Sequence, residues 1–343
     1  MNNNKHISPA QRSWLRFKAN RRGYYSLWVF SIVFILSLFA EVISNDKPLI
    51  VNYQNEYYFP VFKFYKETEF GGDFETEADY QDKYVRNILT NNGNWMLEPF
   101  NPFNHTTISY DSDLPNPAAP SDYNILGTDD RGRDVLARLI YGFRLSILFA
   151  IALTIIGTGI GILAGMVQGY FGGRVDLFFQ RFIEVWGSMP ELYLLIIFAS
   201  IFQPNVWLLI ILLSMFGWMG LSDYVRAEFL KGRNLNYVTS ARALGLSDKA
   251  IMFRHLLPNS LTPVITFMPF RVSGAILALT SLDYLGLGVP ADTPSLGELL
   301  SQGKENISAW WLSLSTFGVL VGALMMLIFI GEALREALDT RRA

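Results

Sequence analysis

The stretch Tyr237-Val-Thr-Ser-Ala-Arg-Ala-Leu-Gly-Leu-Ser-Asp-Lys-Ala-Ile-Met-Phe-Arg-His-Leu-Leu-Pro258 reads as two short helices joined by a sharp reversal. Residues 237–244 carry helix-forming side chains, and Gly245 suits the left-handed residue that ends such a helix. Ser247 and Asp248 cap a second helix running to Leu257, which Pro258 breaks. Thr262-Pro263 then has the cap-plus-first-turn form that opens a further helix. The product is a helix-turn-helix elbow, although an ordinary amphipathic connector would share these features.

What lies on either side of the elbow is strongly apolar. The runs Tyr24–Ile43, Phe143–Tyr170, Glu191–Gln203, Val206–Tyr224, Pro263–Leu287 and Trp310–Ile330 each approach the ~20 residues that cross ~30 Å of hydrocarbon. The third is short as it stands; it begins near Phe182, with a kink expected at Pro190. Six spans is the reading, with five the alternative. The first run is longer than a signal-peptide core and ends at Glu41-Val-Ile-Ser-Asn-Asp46 rather than at small residues, so it reads as a retained anchor. Half the residues are hydrophobic and the mean hydropathy is positive, which places the whole chain in the same class.

The charges are segregated by region. Lys5, Arg12, Arg16, Lys18, Arg21 and Arg22 precede the first run; Arg226, Lys231, Arg233, Arg242, Lys249 and Arg254 fill the elbow segment; Arg335, Arg341 and Arg342 close the chain. The positive-inside rule puts all three segments in the cytoplasm. Residues 44–138 contain the acidic run Glu67, Glu69, Asp73, Glu75, Glu77, Asp79 and Asp82, and the Val289–Ala309 loop adds Asp292, Glu298 and Glu305, so both are assigned outside. The expected organisation is a cytoplasmic tail (1–23), a first span (24–43), a periplasmic insert (44–138), a core of spans two to six (139–335) with a cytoplasmic loop at 226–261, and a tail (336–343). The aromatics Tyr53, Tyr57, Tyr58, Phe59, Phe62, Phe64, Tyr65, Trp95, Phe100 and Phe103 are enough for a small packed unit in the insert, and Pro102 to Pro120 reads as an extended connector. That unit is either a cap on the membrane face or a docking surface for a periplasmic partner.

Span two carries Gly157, Gly161, Gly165 and Gly169 on one helix face, where another backbone can approach closely, either within this chain or from a second subunit. Arg271 is the one ionisable residue that falls inside a span; counted from Pro263 it lies ~12 Å in, and a late entry of that span at Pro269 places it near the inner interface. Asp283, Glu184, Glu191 and Asp223 fall near helix ends, where a charge costs little. Arg271 and Asp283 are therefore the candidate pathway residues. With no cysteine and three scattered histidines (His6, His105 and His255), no metal site, catalytic residue or cofactor-binding residue is expected.

The order Ala241, three residues, Gly245, nine residues, His255-Leu-Leu-Pro258 resembles the "EAA" loop of bacterial ABC importer permeases. In that family the loop docks a short helix into a groove of the cytoplasmic ATPase. The resemblance implies that Thr239, Ser240, Ala241, Leu244, Gly245, Leu246, His255, Leu257 and Pro258 form the coupling surface; Thr239 stands where the family has Glu, and Ser240 where it has its first Ala. Leu126-Gly-Thr-Asp-Asp-Arg-Gly-Arg-Asp-Val-Leu-Ala-Arg-Leu-Ile-Tyr-Gly142, the tail Ser8–Lys18, and Leu285-Gly-Leu-Gly288 with Pro294-Ser-Leu-Gly297 resemble the second permease subunit of dipeptide and oligopeptide importers, with Asp283 in place of the usual Ser. The long insert is similar to that of the Yej-type permease of a peptide and microcin C importer.

The resemblance implies an all-α, six-span MetI-like fold in the bacterial inner membrane, forming half of a peptide pathway. Peptide-like antibiotics such as microcin C belong to the same expected substrate class. The implied partners are a second permease subunit, a cytoplasmic ATP-binding subunit or fused double ATPase that holds the ATP and Mg, a periplasmic peptide-binding protein and membrane lipid, with no nucleic acid. Independently of it, the chain has no GxxxxGK[ST] phosphate loop, its one Gly-Lys being Gly303-Lys304-Glu305, so it is not expected to be an enzyme. The rivals are an ion-coupled secondary transporter, which needs mid-membrane ionisable residues, and a membrane sensor built on the insert.

Overall fold

The computed structural model describes residues 8–91, 93–109 and 115–339. Lys5, His6, Arg341 and Arg342, and part of the Pro102–Pro120 connector, lie outside the described residues.

Helix α1 (Pro9–Ala19) opens on a capping box, in which the Ser8 hydroxyl accepts from Gln11 N and the Gln11 side chain accepts from Ser8 N. Helix α2 (Arg21–Leu38) runs along the last helix of the chain, and its Gly23 faces Ala333 so closely that an added Cβ would lie 2.2 Å from the Ala333 Cβ. The expected span Tyr24–Ile43 is not one helix: it stops at Leu38 and restarts as α3 (Ala40–Ile43). Ser37 Oγ donates back to Phe34 O at 2.7 Å, and after the bend Glu41 reaches Arg144 at 2.8 Å.

The insert is not all-helical, which corrects the expected fold class. Strands β1 (Ile50–Tyr53) and β2 (Glu56–Tyr58), helix α4 (Lys83–Thr90) and strand β3 (Trp95–Leu97) form a three-stranded antiparallel sheet in the order β2-β1-β3 with one helix. Gln54 and Asn55 both have positive φ, 52° and 66°, the two-residue hairpin geometry that matches strand twist. Tyr65, Phe70 and Tyr80 pack with Val51, Val85 and Leu89 into a small core. Six of the ten aromatics expected to build it (Tyr57, Phe59, Phe62, Phe64, Trp95 and Phe100) are exposed instead.

The bundle begins with α5 (Val135–Phe171), followed by α6 (Gly173–Gly187), α7 (Glu191–Ile201), α8 (Val206–Gly217) and α9 (Met219–Gly232). After α10 (Asn236–Ala243) and α11 (Asp248–Ala250), a π-helical turn over Ile251–Leu256 leads without a break into α12 (Leu257–Tyr284). Helices α13 (Leu296–Glu305) and α14 (Trp310–Leu338) complete the chain. Among the described residues, four helical stretches are long and apolar enough to cross a membrane: Val135–Phe171, Val206–Gly232, Asp248–Tyr284 and Trp310–Leu338. The pair α6 and α7, bent by 65°, raises the number to five, one short of the six read from the sequence because α2 has 18 residues and begins with two arginines. At Pro190 the chain breaks outright rather than kinking.

Pro258 and Thr262-Pro263 do not end and restart a helix; both prolines lie within one continuous helical stretch from Asp248 to Tyr284. The wide π turn sits immediately upstream of Pro258, where a proline ring would otherwise press on the carbonyl four residues back.

The core of the bundle joins Leu139, Phe143 and Ile147 of α5 to Ile276 of α12, Leu299 of α13 and Leu312 of α14. Both ends of the chain and the elbow share one end of the bundle: Phe17 packs on Ala333 and Ala337, and Thr262 and Pro263 line a cleft with Arg335 and Leu338. The insert and the 289–309 loop share the other. Large apolar side chains such as Ile32, Ile35, Ile197, Leu314 and Met325 stand exposed around the bundle, as they do on a lipid-facing surface.

Candidate functional site

The elbow closes with a Schellman motif. Gly245 has φ +79°, its N–H donates to Arg242 O at 3.0 Å, and Leu246 N donates to Ala241 O at 3.2 Å. Ser247 Oγ then accepts from Ala250 N and starts the second helix. One face of the elbow is locked to the bundle: Val238, Ala241, Ile251, Met252 and Leu256 are buried with Met166, Tyr170, Val225 and Phe229. The Tyr170 hydroxyl donates to Asp248 at 2.5 Å, and the Arg242 guanidinium stands over the Tyr170 ring at 5.7 Å. The other face is free. Thr239, Ser240 and Gly245 are exposed, and Leu244 is 80% exposed at the tip. His255 and Leu257 are half-buried, and Pro258 is exposed.

Behind the elbow, α5 packs on α8 and α9 through the glycine face. Gly157, Gly161, Gly165 and Gly169 are all buried against α8 and α9 of the same chain. A Cβ on Gly165 would lie 2.4 Å from Ser222 O, and one on Gly169 would lie 2.6 Å from Arg226 O. Both obstacles are backbone, so neither can step aside. Gln168, fully buried between them, donates to Ser222 Oγ at 2.7 Å.

Midway along the bundle, two helix breaks meet. The α6–α7 break at residues 188–190 and the α8–α9 break at Trp218 border a cavity of about 490 Å³. Arg271 of α12 lies on it and donates from Nη2 to Gly217 O at 3.0 Å. The position is ~20 Å along the helix from Tyr284 and level with Gly157, whose added Cβ would lie 2.9 Å from Arg271 Nη2. Arg271 therefore sits partway along the bundle, and Pro269 does not delay the helix, which is continuous through it. Glu191 also lines this cavity. It stands at the first residue of α7, the helix end expected from the sequence, and that end is an internal one created by the break.

At the insert end, a buried charge cluster joins two distant segments. Arg133 bonds Asp129 at 2.6 Å and Glu298 at 3.2 Å; Arg138, fully buried, lies 3.5 Å from Asp129 and pairs with Glu298. Arg138 also donates to His105 O and Thr293 O, and Arg133 to Ala291 O. Asp134 caps α5 by accepting from Ala137 N at 2.7 Å and receives Asn101 and Asn124 of the insert at 2.8 and 2.9 Å. Burial pushes the Asp134 carboxyl up, against the lowering effect of those same bonds. The His105 ring lies tilted against Tyr141 at 4.6 Å; burial, and then the Arg138 charge, push its pKa down. Asp283 accepts from Val289 N at 2.9 Å and Ser295 Oγ at 2.5 Å, so both of its oxygens hold the turn after α12.

Residues 157–343 match the model for the inner membrane component of binding-protein-dependent transport systems, and residues 8–60 match the N-terminal transmembrane domain of oligopeptide transport permease C. The chain belongs to this transport-component family. The permease is 51% identical, over 98% of its length and 99% of the relative's, to the inner membrane ABC transporter permease protein YejE of Escherichia coli (strain K12). It is 46% identical, over 97% of its length and 93% of the relative's, to the peptidoglycan transport system permease protein YejE of Agrobacterium fabrum (strain C58 / ATCC 33970). The oligopeptide transport system permease protein OppC of Lactococcus lactis subsp. lactis (strain IL1403) is 37% identical over 64% of this permease and 76% of the relative. In fold, the permease is similar to a chain of the MetNI methionine ABC transporter in inward-facing conformations, with TM-score 0.50 and 15% identity, covering 60% of this chain and 97% of that one. Permeases of this kind are inner-membrane, non-catalytic components that carry no bound cofactor and work with an ATPase and a further permease subunit.

The sequence singles out the elbow and Arg271 but does not join Asp129, Arg133, Arg138 and Glu298 as a unit, although the first three stand in the Leu126–Gly142 motif and Glu298 in the acidic 289–309 loop. A signal existed: three arginines and three aspartates within Asp129–Arg138 at the head of an apolar helix need acidic and basic partners nearby.

Proposed function

We propose that the chain is the membrane-spanning half of a peptide importer driven by a partner ATPase, with six crossings: α2, α5, the α6–α7 pair, α8–α9, the Asp248–Tyr284 stretch and α14. The cytoplasm holds both ends and the elbow, and the periplasm holds the insert. The observation that carries this reading is the two-faced elbow. One face is bonded to α5 and α9 through Tyr170, Phe229 and Val238, and the other presents Thr239, Ser240, Leu244 and Gly245 to a partner. A helix-turn-helix held this way moves as one piece with the spans behind it, which is what transmitting an ATPase stroke requires. Peptides are the cargo favoured by the relatives' names, and a peptide-binding protein on the insert side would deliver them.

Two experiments test the proposal. Liposomes holding the chain alone are expected neither to hydrolyse ATP nor to take up peptide, whereas liposomes with its second permease subunit, ATPase and peptide-binding protein do both. Ion-driven uptake by the chain alone would replace this reading with a secondary transporter. For orientation, single cysteines at positions 75 and 240, in a chain with no native cysteine, are expected to label from the periplasmic and cytoplasmic sides respectively. Labelling of position 75 only after the membrane is opened would overturn the topology.

A further inference from the structure

The mid-bundle cavity holds two oppositely charged side chains that the fold leaves underused. Arg271 spends one donor on Gly217 O, while its Nε is buried without a hydrogen-bond partner. Glu191 has no hydrogen bond or ion pair among the described residues, although it is half-buried on the same wall. The Thr154 hydroxyl, 3% exposed and also lining the cavity, is a third polar group without a partner. A guanidinium and a carboxylate at this depth are costly when unpaired, and a structural role would have paired them with each other or with neighbours. Their freedom is also local. Arg133, Arg138, Arg144 and Arg226 all have carboxylate partners.

We propose that this cavity is a way-station for the charged ends of peptide cargo: Arg271 receives the terminal carboxylate and Glu191 the terminal ammonium. The inference rests on the import reading above and names the groups that read the cargo. Arg271 offers a planar fork that matches a carboxylate in two parallel hydrogen bonds. The Gly217 carbonyl holds the fork in place before cargo arrives. The α6–α7 and α8–α9 breaks supply the space, since irregular backbone at membrane depth is tolerated where it lines a cavity. Recognition of the two ends leaves side chains unread, which suits an importer of peptides that vary in sequence.

The test uses the complete complex in liposomes with an alanine tripeptide in three forms: free at both ends, amidated at the C-terminus, and acetylated at the N-terminus. The wild-type complex is expected to prefer the free form over both capped forms. In Arg271→Gln, the preference for a free carboxylate is expected to fall about tenfold, the size of a lost charge-assisted hydrogen bond, while the preference for a free amine persists. In Glu191→Gln the two preferences exchange roles. Arg271→Lys, which keeps the charge but not the fork, is expected to recover part of the carboxylate preference. Equal slowing of all three peptides in Arg271→Gln would make Arg271 a structural or gating residue and overturn the proposal, as would unchanged uptake of all three. Failure of the wild-type complex to import any form would remove the peptide-import reading itself, a result distinct from loss of end discrimination.

Discussion

Gly245→Asp is expected to abolish coupled import while leaving the protein in the membrane at normal abundance. Gly245 sits at φ +79°, where a side chain costs roughly 1–2 kcal/mol, with Asp at the lower end because it tolerates this region better than most residues. Among the described residues, nothing beyond its chain neighbours lies within 4 Å of an added Cβ, so the fold itself offers no clash. The burden falls outside, on whatever covers the exposed elbow tip beside Leu244. There, a carboxylate would have to be desolvated against a partner, adding a penalty of about 1–3 kcal/mol on the same face. The strain is carried docked and undocked, so the desolvation penalty alone shifts the docking equilibrium, by a factor of about 5 to 150. Peptide uptake and ATPase activity of the reconstituted complex, measured side by side, would report it. Normal uptake at normal ATPase rate would mean that the elbow is a connector and carries no stroke.

Arg138→Met is expected to have the largest effect on stability. The arginine is fully buried and pairs with Glu298, and its removal also strands the carbonyls of His105 and Thr293. Breaking one side of a buried ionic cluster costs about 3–5 kcal/mol, because the partner charge stays behind. For a chain of this size that corresponds to a drop on the order of 10 °C in the unfolding midpoint, followed by size-exclusion of heated detergent extracts. Adding Glu298→Gln to Arg138→Met is expected to recover part of the loss, since the stranded charge is then gone. A midpoint within about 2 °C of wild type for Arg138→Met would show that the cluster is not what joins α5 to the 289–309 loop.

The elbow and the insert differ in how far the sequence discloses them. Gly245 and Ser247 act through neighbours within four residues, so their roles can be read in order along the chain. The same local logic misjudges Pro258 and Pro263, because a π turn six residues long takes up the strain and the helix runs on. Arg138 and Glu298 meet across 160 residues, and nothing local announces that pairing. The sheet in the insert is hidden for another reason: its strands have three or four residues each, too short for an alternating pattern to stand out. Glu191 is a subtler case. Its position at a helix start is legible from Pro190, but the depth of that start depends on the 65° bend, which is a property of the packed bundle.

The unbroken helix from Asp248 to Tyr284 spans ~55 Å and is bonded at both ends: to Tyr170 through Asp248, and to the turn after α12 through Asp283. A rod pinned at its two ends has one tilt, shared by both faces of the membrane. Any ligand that prefers one tilt therefore shifts the occupancy of that tilt for every other ligand, and by the same factor in each direction. In the importer proposed above, nucleotide on the elbow side and a cargo carrier on the insert side would report to each other through a single mechanical coordinate, without needing a chain of intermediate contacts between them.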